Sequence, residues 1–209
     1  MARRTDHTRE ELKDLIINAA WTIIETEGAP GLTARKLASA IGYAPGTIYN
    51  LFQSMDALYL AINKIILHKL HDILSSPACN DPDKSAIDNM KSMAHLYRDF
   101  AQDHKQHWLM LFTHSLTDGH GIPEWYQEEI TTLFSPLENL LRPYFTQDQN
   151  RELKMATRVL WSSVHGLCFL EETGKISLID DGESAPDMAS YLIDNFIAGL
   201  DTRIKAVKK

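Results

Sequence analysis

Cysteine is nearly absent: Cys79 and Cys168 are the only two in 209 residues. Two cannot build a disulfide framework, and neither sits at a metal-ligand spacing, so reduced thiols and a cytoplasmic location are expected. Long apolar runs are absent too; none approaches the ~20 residues of a membrane span. Met1–His7 reads Met-Ala-Arg-Arg-Thr-Asp-His and leads into a charged amphipathic segment, not the apolar core of a signal peptide. There is no Gly-rich phosphate loop, no His-Glu-x-x-His and no Gly-x-Ser-x-Gly. Nothing marks an enzyme, and no cofactor is expected. No segment alternates apolar and polar residues as a half-buried strand would, and no internal repeat is visible. The chain is also short of positive charge, with a net −7. Residues 1–60 hold six Lys/Arg and seven Asp/Glu, so the remainder carries −6 and the acidity lies late in the chain.

What is present is helical period. Thr8 and Glu11 have capping-box spacing and open a helix to about Glu27, with Leu12, Leu15, Ile16, Ala19, Ala20, Ile23 and Ile24 as its buried stripe. Gly28-Ala-Pro-Gly31 breaks it. Ser54 or Asp56 caps a long helix to about Ser76, with Leu58, Ile62, Ile65, Ile66 and Leu70 on its apolar side. Cys79–Lys84 is a loop. Further helices are expected at about 84–104, 106–118, 123–145 with a kink near Pro136, 150–173 and 185–206. Asp118-Gly-His-Gly121 interrupts the pattern, and Lys175–Ser184 is an acidic, glycine-containing loop. The expected fold is all-α, with about nine helices in two domains, residues 1–53 and 54–209.

Thr33–Phe52 is the most informative stretch. Thr33 can cap a short helix whose Leu37, Ala38 and Ile41 share a face. Gly42 sits where that helix must stop in a left-handed conformation. Pro45 then falls in the first turn of a second helix, where its missing N–H costs nothing. Ile48 and Leu51 would pack this helix inward and leave Thr47, Tyr49 and Asn50 outward. That is helix-turn-helix spacing, although spacing alone also fits a plain αα-hairpin.

The flanking residues decide between these. Gly42-Tyr-Ala-Pro-Gly-Thr-Ile-Tyr-Asn-Leu-Phe52 followed by Gln-Ser-Met-Asp-Ala-Leu58, with Ala19-Ala20 and Gly28–Thr33 upstream, resembles the DNA-binding signature of TetR-family transcriptional regulators. The resemblance covers about residues 8–60. It implies a homodimer whose second motif helix enters the major groove of a pseudo-palindromic double-stranded operator. It further implies that a small, largely apolar effector releases a repressor. Carried over residue by residue, Thr47 and Asn50 would meet bases or phosphates, Ala44 a thymine methyl, Tyr49 a phosphate, and Arg35 the backbone or a base. Thr33, Lys36, Pro45 and Gly46 complete the contacting surface. Met55 stands where the family often has a lysine, which removes one phosphate contact. Arg3 and Arg4 form either a DNA-contacting arm or a plain tail.

Trp161-Ser-Ser-Val-His-Gly-Leu167 is the second informative stretch, and is similar to a Trp-x-x-x-His-Gly motif of one TetR subgroup. Trp161, His165 and Phe169 fall on one helical line; Trp161 and His165 would face either an effector cavity or a core or dimer contact. Trp108 and Phe112, in an aromatic region with Trp125, Tyr126 and Phe134, are further candidates for the effector pocket. Gly166 suggests close helix packing. It joins Leu192, Phe196, Gly199 and Leu200 as the expected dimer interface, an isologous four-helix arrangement. Histidine pairs at 68/71 and 104/107 lack a completing ligand set, so they read as solvated helix faces and no metal is expected.

Overall fold

The computed structural model describes residues 7–116, 121–178 and 184–207. The arm bearing Arg3 and Arg4, the Asp118-Gly-His break and the middle of the 175–184 loop lie outside them. Ten α-helices follow in order: α1 (Arg9–Glu27), α2 (Ala34–Ile41), α3 (Pro45–Phe52), α4 (Met55–Leu74) and α5 (Ala86–Asp103), then α6 (Lys105–Thr113), α7 (Glu124–Leu133), α8 (Ser135–Leu141), α9 (Asn150–Glu172) and α10 (Ala185–Val207). No strand occurs among the described residues. The fold is all-α as expected, and counting α7 and α8 as one bent helix gives nine helices among the described residues.

Two expected boundaries move. The 123–145 helix divides at Phe134, because Pro136 in the first turn of α8 cannot donate to the preceding turn. The 106–118 helix stops at Thr113, and His114 turns extended with its ring against Tyr59 and Asp56.

The chain forms two compact units. The first holds α1–α3, α4 as far as His68, α6, and α7 as far as Glu129. The second holds α4 from Lys69, α5, the rest of α7, and α8–α10. These units follow packing, whereas the division at residue 53 follows expected roles. In the first, α1 packs on α2, α3 and α6. Ile16, Ala20 and Ile24 are fully buried there, while Leu12, Leu15 and Ala19 stay half-exposed. Thr8 and Glu11 form the reciprocal capping box. In the second unit α5 packs on α8, α9 and α10. The 79–84 loop is fixed there by buried Asn89, which accepts from Asp81 N–H (3.1 Å) and donates to its carbonyl (2.9 Å).

Candidate functional site

The α2–turn–α3 hairpin is built by local rules. Thr33 Oγ1 accepts from Lys36 N–H at 3.2 Å and caps α2. Gly42 takes φ 73°, ψ 29°, and Tyr43 N–H donates back to the Ala38 carbonyl at 2.9 Å. That is the six-to-one bond of a Schellman ending, which needs the left-handed residue glycine supplies. Pro45 begins α3. Leu37, Ala38 and Ile48 are buried to 1% exposure or less. The second anchor of α3 is Phe52 at 6% exposure, four residues after Ile48, and Leu51 is only half-buried. The expected Ile48/Leu51 edge is therefore rotated toward Phe52, which also carries Lys13 over its ring at 6.0 Å.

This packing leaves the predicted contact residues at the surface of the hairpin. Thr33, Arg35, Lys36, Ala44, Pro45, Gly46, Tyr49 and Asn50 are exposed and Thr47 is half-exposed. Tyr49, at 46%, is one of the exposed large hydrophobic side chains of the described residues. A Cβ on Gly46 would meet nothing within 4 Å, so the backbone at the start of α3 is open to an approaching ligand. Lys36 is drawn into an ion pair with Glu27. The Glu27 side chain leaves no room at Gly31, where a Cβ would lie 2.5 Å from the Glu27 Cβ.

Three features of this surface were not foreseen in the sequence. His7 Nδ1 and the Tyr43 hydroxyl share a 2.7 Å hydrogen bond that pins the start of the described chain beside the hairpin turn. Gln53 adopts φ 67°, ψ −44°, the single positive φ outside glycine among the described residues. Ser54 N–H donates to the Phe52 carbonyl at 2.8 Å across it. That makes a γ-turn of the rare, strained hand between α3 and α4. Tyr59 OH donates to the carbonyls of Ala29 (2.8 Å) and Leu32 (3.2 Å), tying α4 to the connection before α2. His114 stacks on the same ring at 3.9 Å and donates to Asp56 at 3.3 Å.

The predicted effector residues separate. Trp108, fully buried, pairs with Phe112 at 5.2 Å in the first unit. They sit there because α6 packs on α1. Trp161, His165 and Phe169 come together in the second unit: His165 stacks on Trp161 (5.1 Å, 21°) and lies 6.2 Å from Phe169. His165 Nδ1 shares a 2.8 Å hydrogen bond with Tyr97 OH. Burial pushes the His165 pKa down, so its neutral imidazole is favoured. Of these three, Trp161 lines a cavity of about 40 Å³. Its other walls are Leu74, Met90, Met93, Ala94 and Tyr97 with Leu133, Phe134, Leu137, Leu160, Val164 and Ile193. Most of those were not singled out from sequence, because apolar helix faces look alike whether they close on a core or around a space.

The expected interface residues lie on α9 and α10. Leu192 and Phe196 are half-buried, and Leu200 is 9% exposed. A Cβ on Gly166 or Gly199 would meet nothing within 4 Å, so neither glycine permits a close helix approach within the chain. A groove of about 360 Å³ is lined by Phe145, by Arg151, Glu152, Met155, Ala156 and Val159 of α9, and by Phe196 and Leu200 of α10. Met155 and Val159 are 58% and 48% exposed, and Tyr191 is 73% exposed. The histidine pairs are not uniformly solvated: His107 is 1% exposed, stacks on Trp21 at 3.8 Å and donates to its carbonyl. Among the described residues no cluster of three or more His, Cys, Asp or Glu could hold a metal, and no helix is long and apolar enough to cross a membrane.

Comparison with known proteins gives two family matches. Residues 16–62 match bacterial regulatory proteins of the tetR family, and residues 90–196 match the tetracyclin repressor-like C-terminal domain. An uncharacterized HTH-type transcriptional regulator of Mycobacterium tuberculosis is 26% identical over 191 residues, 91% of this chain and 82% of that protein. Among solved structures, a protein from Rhodococcus sp. RHA1 superposes with TM-score 0.70 at 18% identity, covering 95% of this chain and 98% of its own. A tetR-family regulator from Streptomyces coelicolor gives TM-score 0.66 at 16% identity, with 96% and 84% covered. At such identities the two structures speak for the fold.

Proposed function

Since the chain belongs to the TetR family of DNA-binding transcriptional regulators, we propose that it is a repressor that binds a pseudo-palindromic operator as a homodimer and is released by a small, largely apolar effector. Family membership indicates a non-enzymatic transcription factor. The observation that carries the proposal is the surface of α2 and α3, where Arg35, Ala44, Thr47, Tyr49 and Asn50 are presented on a rigid hairpin whose own packing does not need them. In this reading residues 1–53 contact DNA and residues 54–209 hold the effector and the partner. Asn50 and Thr47 have the hydrogen-bonding groups to read base edges, Ala44 suits a thymine methyl, and Tyr49 and Arg35 suit phosphate. The open backbone at Gly46 allows the start of α3 to approach the groove closely. The exposed apolar groove of α9 and α10, with open space over Gly166 and Gly199, supports an isologous partner contact. An effector acts by binding the DNA-incompetent dimer more tightly than the competent one, and its differential affinity sets the extent of release.

Selection of duplexes from a random library, followed by fluorescence anisotropy at several salt concentrations, tests this reading. The expected winner is a pseudo-palindrome. Asn50→Ala is expected to lose about 1–3 kcal/mol on it and to relax preference at one position of each half-site. Equal, weak binding to every duplex at low salt would refute the reading.

A further inference from the structure

We propose that the cavity of the second unit takes an uncharged, flat apolar molecule and turns away the carboxylate and ammonium forms of the same skeleton. This rests on the reading of that unit as the effector-binding part. None of the twelve lining residues carries a charge. Two cations of α5, the helix that supplies Met90, Met93, Ala94 and Tyr97 to the lining, are held in ion pairs. Arg98 grips Glu171 through Nη2 (2.6 Å) and Nε (2.7 Å), and Lys91 pairs with Asp194 at 2.8 Å. Arg158 is exposed, lies over the Phe134 ring at 5.3 Å and donates to the Lys154 carbonyl at 3.0 Å. His165, behind Trp161, favours its neutral form. An ion entering this space would lose its hydration among walls that offer no charged side chain.

The rings select for shape. Phe134 stands edge-on to Trp161 (5.3 Å, 86°), and Tyr97 completes an aromatic wall that favours a planar guest in a stacked or edge-to-face position. The volume of about 40 Å³ is small beside the ~150 Å³ of an apolar cavity that takes up benzene. A ring therefore enters only as Met90 and Met93 swing aside, which their unbranched, freely rotating side chains permit. Binding and methionine rearrangement are one event.

The test uses the full chain labelled at methionine methyls, titrated at neutral pH with toluene, benzyl alcohol, benzoate and benzylammonium. Toluene and benzyl alcohol are expected to shift the Met90 and Met93 methyl resonances saturably, with the two ions binding at least ~100-fold more weakly. Comparable binding of benzoate or benzylammonium would overturn the proposal, and loss of that benzoate binding in Arg158→Ala would show that Arg158 swings in to pair a carboxylate. Failure of all four probes to move either methyl would also overturn it. Operator binding is read separately by anisotropy. A bound neutral probe that leaves operator affinity unchanged would refute the effector reading of the unit while the ligand class stands.

Discussion

Gln53 shows what one residue can store. Its φ of 67° with ψ −44° is a conformation that side chains avoid, and it sits at the join between the exposed helix α3 and the long helix α4. Such strain costs of order 1–3 kcal/mol and persists only where surrounding structure imposes it. Gln53→Gly is expected to raise stability by about 1 kcal/mol in urea denaturation, and a destabilisation would show that the turn is unstrained. His165 gives a second residue-scale prediction. Burial holds its pKa below the usual 6.5, so just under that pH the unfolded chain takes up a proton that the folded one refuses. Its contribution is full above about pH 6.5 and is lost as the pH falls from there through the lower folded-state pKa. His165→Asn should therefore flatten the acid-side decline of the urea midpoint between pH 7.5 and 5.5 relative to the parent chain. Cys168 is also buried, its pKa pushed up to about 12 by burial, with the Glu171 carboxylate adding to it. Neither Cys168 nor Cys79 should react with thiol reagents in the native protein at pH 8, and both should react in denaturant. The roles of Thr33, Gly42 and Pro45 were legible in the sequence because each follows from a cap or turn rule spanning a few residues. Gln53 was not, because its conformation is forced by how two helices join and glutamine itself gives no sign of it.

At the scale of elements, the helices were legible and their faces only partly so. Period and caps place α1, α9 and α10 within a residue or two of where they fall. The early end of α6 was not legible, because His114 is held by Asp56, 58 positions away. The same limit explains why Trp108 and Phe112 were grouped with Trp161: aromatic composition does not say which unit an element packs into. For α3, the expected Ile48/Leu51 pair and the observed Ile48/Phe52 pair point about 50° apart around the helix axis, a difference that packing against α1 and α2 sets. The burial predicts a graded response. Ile48→Ala should cost about 3 kcal/mol, because its side chain is fully enclosed, and Leu51→Ala roughly 1 kcal/mol. Equal losses would mean that α3 is seated in the orientation expected from sequence.

For the whole molecule, the net charge of −7 sets the terms on which DNA can be bound. With Lys36 tied to Glu27, the proposed contacting surface offers few further cations among the described residues, so one subunit would neutralise few phosphates. Each neutralised phosphate contributes about −0.9 to the slope of log affinity against log salt, and a dimer doubles that count. In the proposed dimer, useful operator affinity would depend on linking two weak half-site contacts, in which the second binds at the high effective concentration set by the first. The α9–α10 face is the surface on which that link would form, since Met155 and Val159 leave apolar area in water along a groove that the described residues leave open. Met155→Glu with Val159→Glu places like charges across a two-fold contact without touching a buried side chain. The double variant should run as a monomer by light scattering at micromolar concentration while its helix content and urea midpoint stay near those of the parent chain. Its operator affinity should fall at least ~100-fold, with the salt slope cut to about half. A variant that stays dimeric, or a monomer that keeps the parent slope, would place the partner contact on another face.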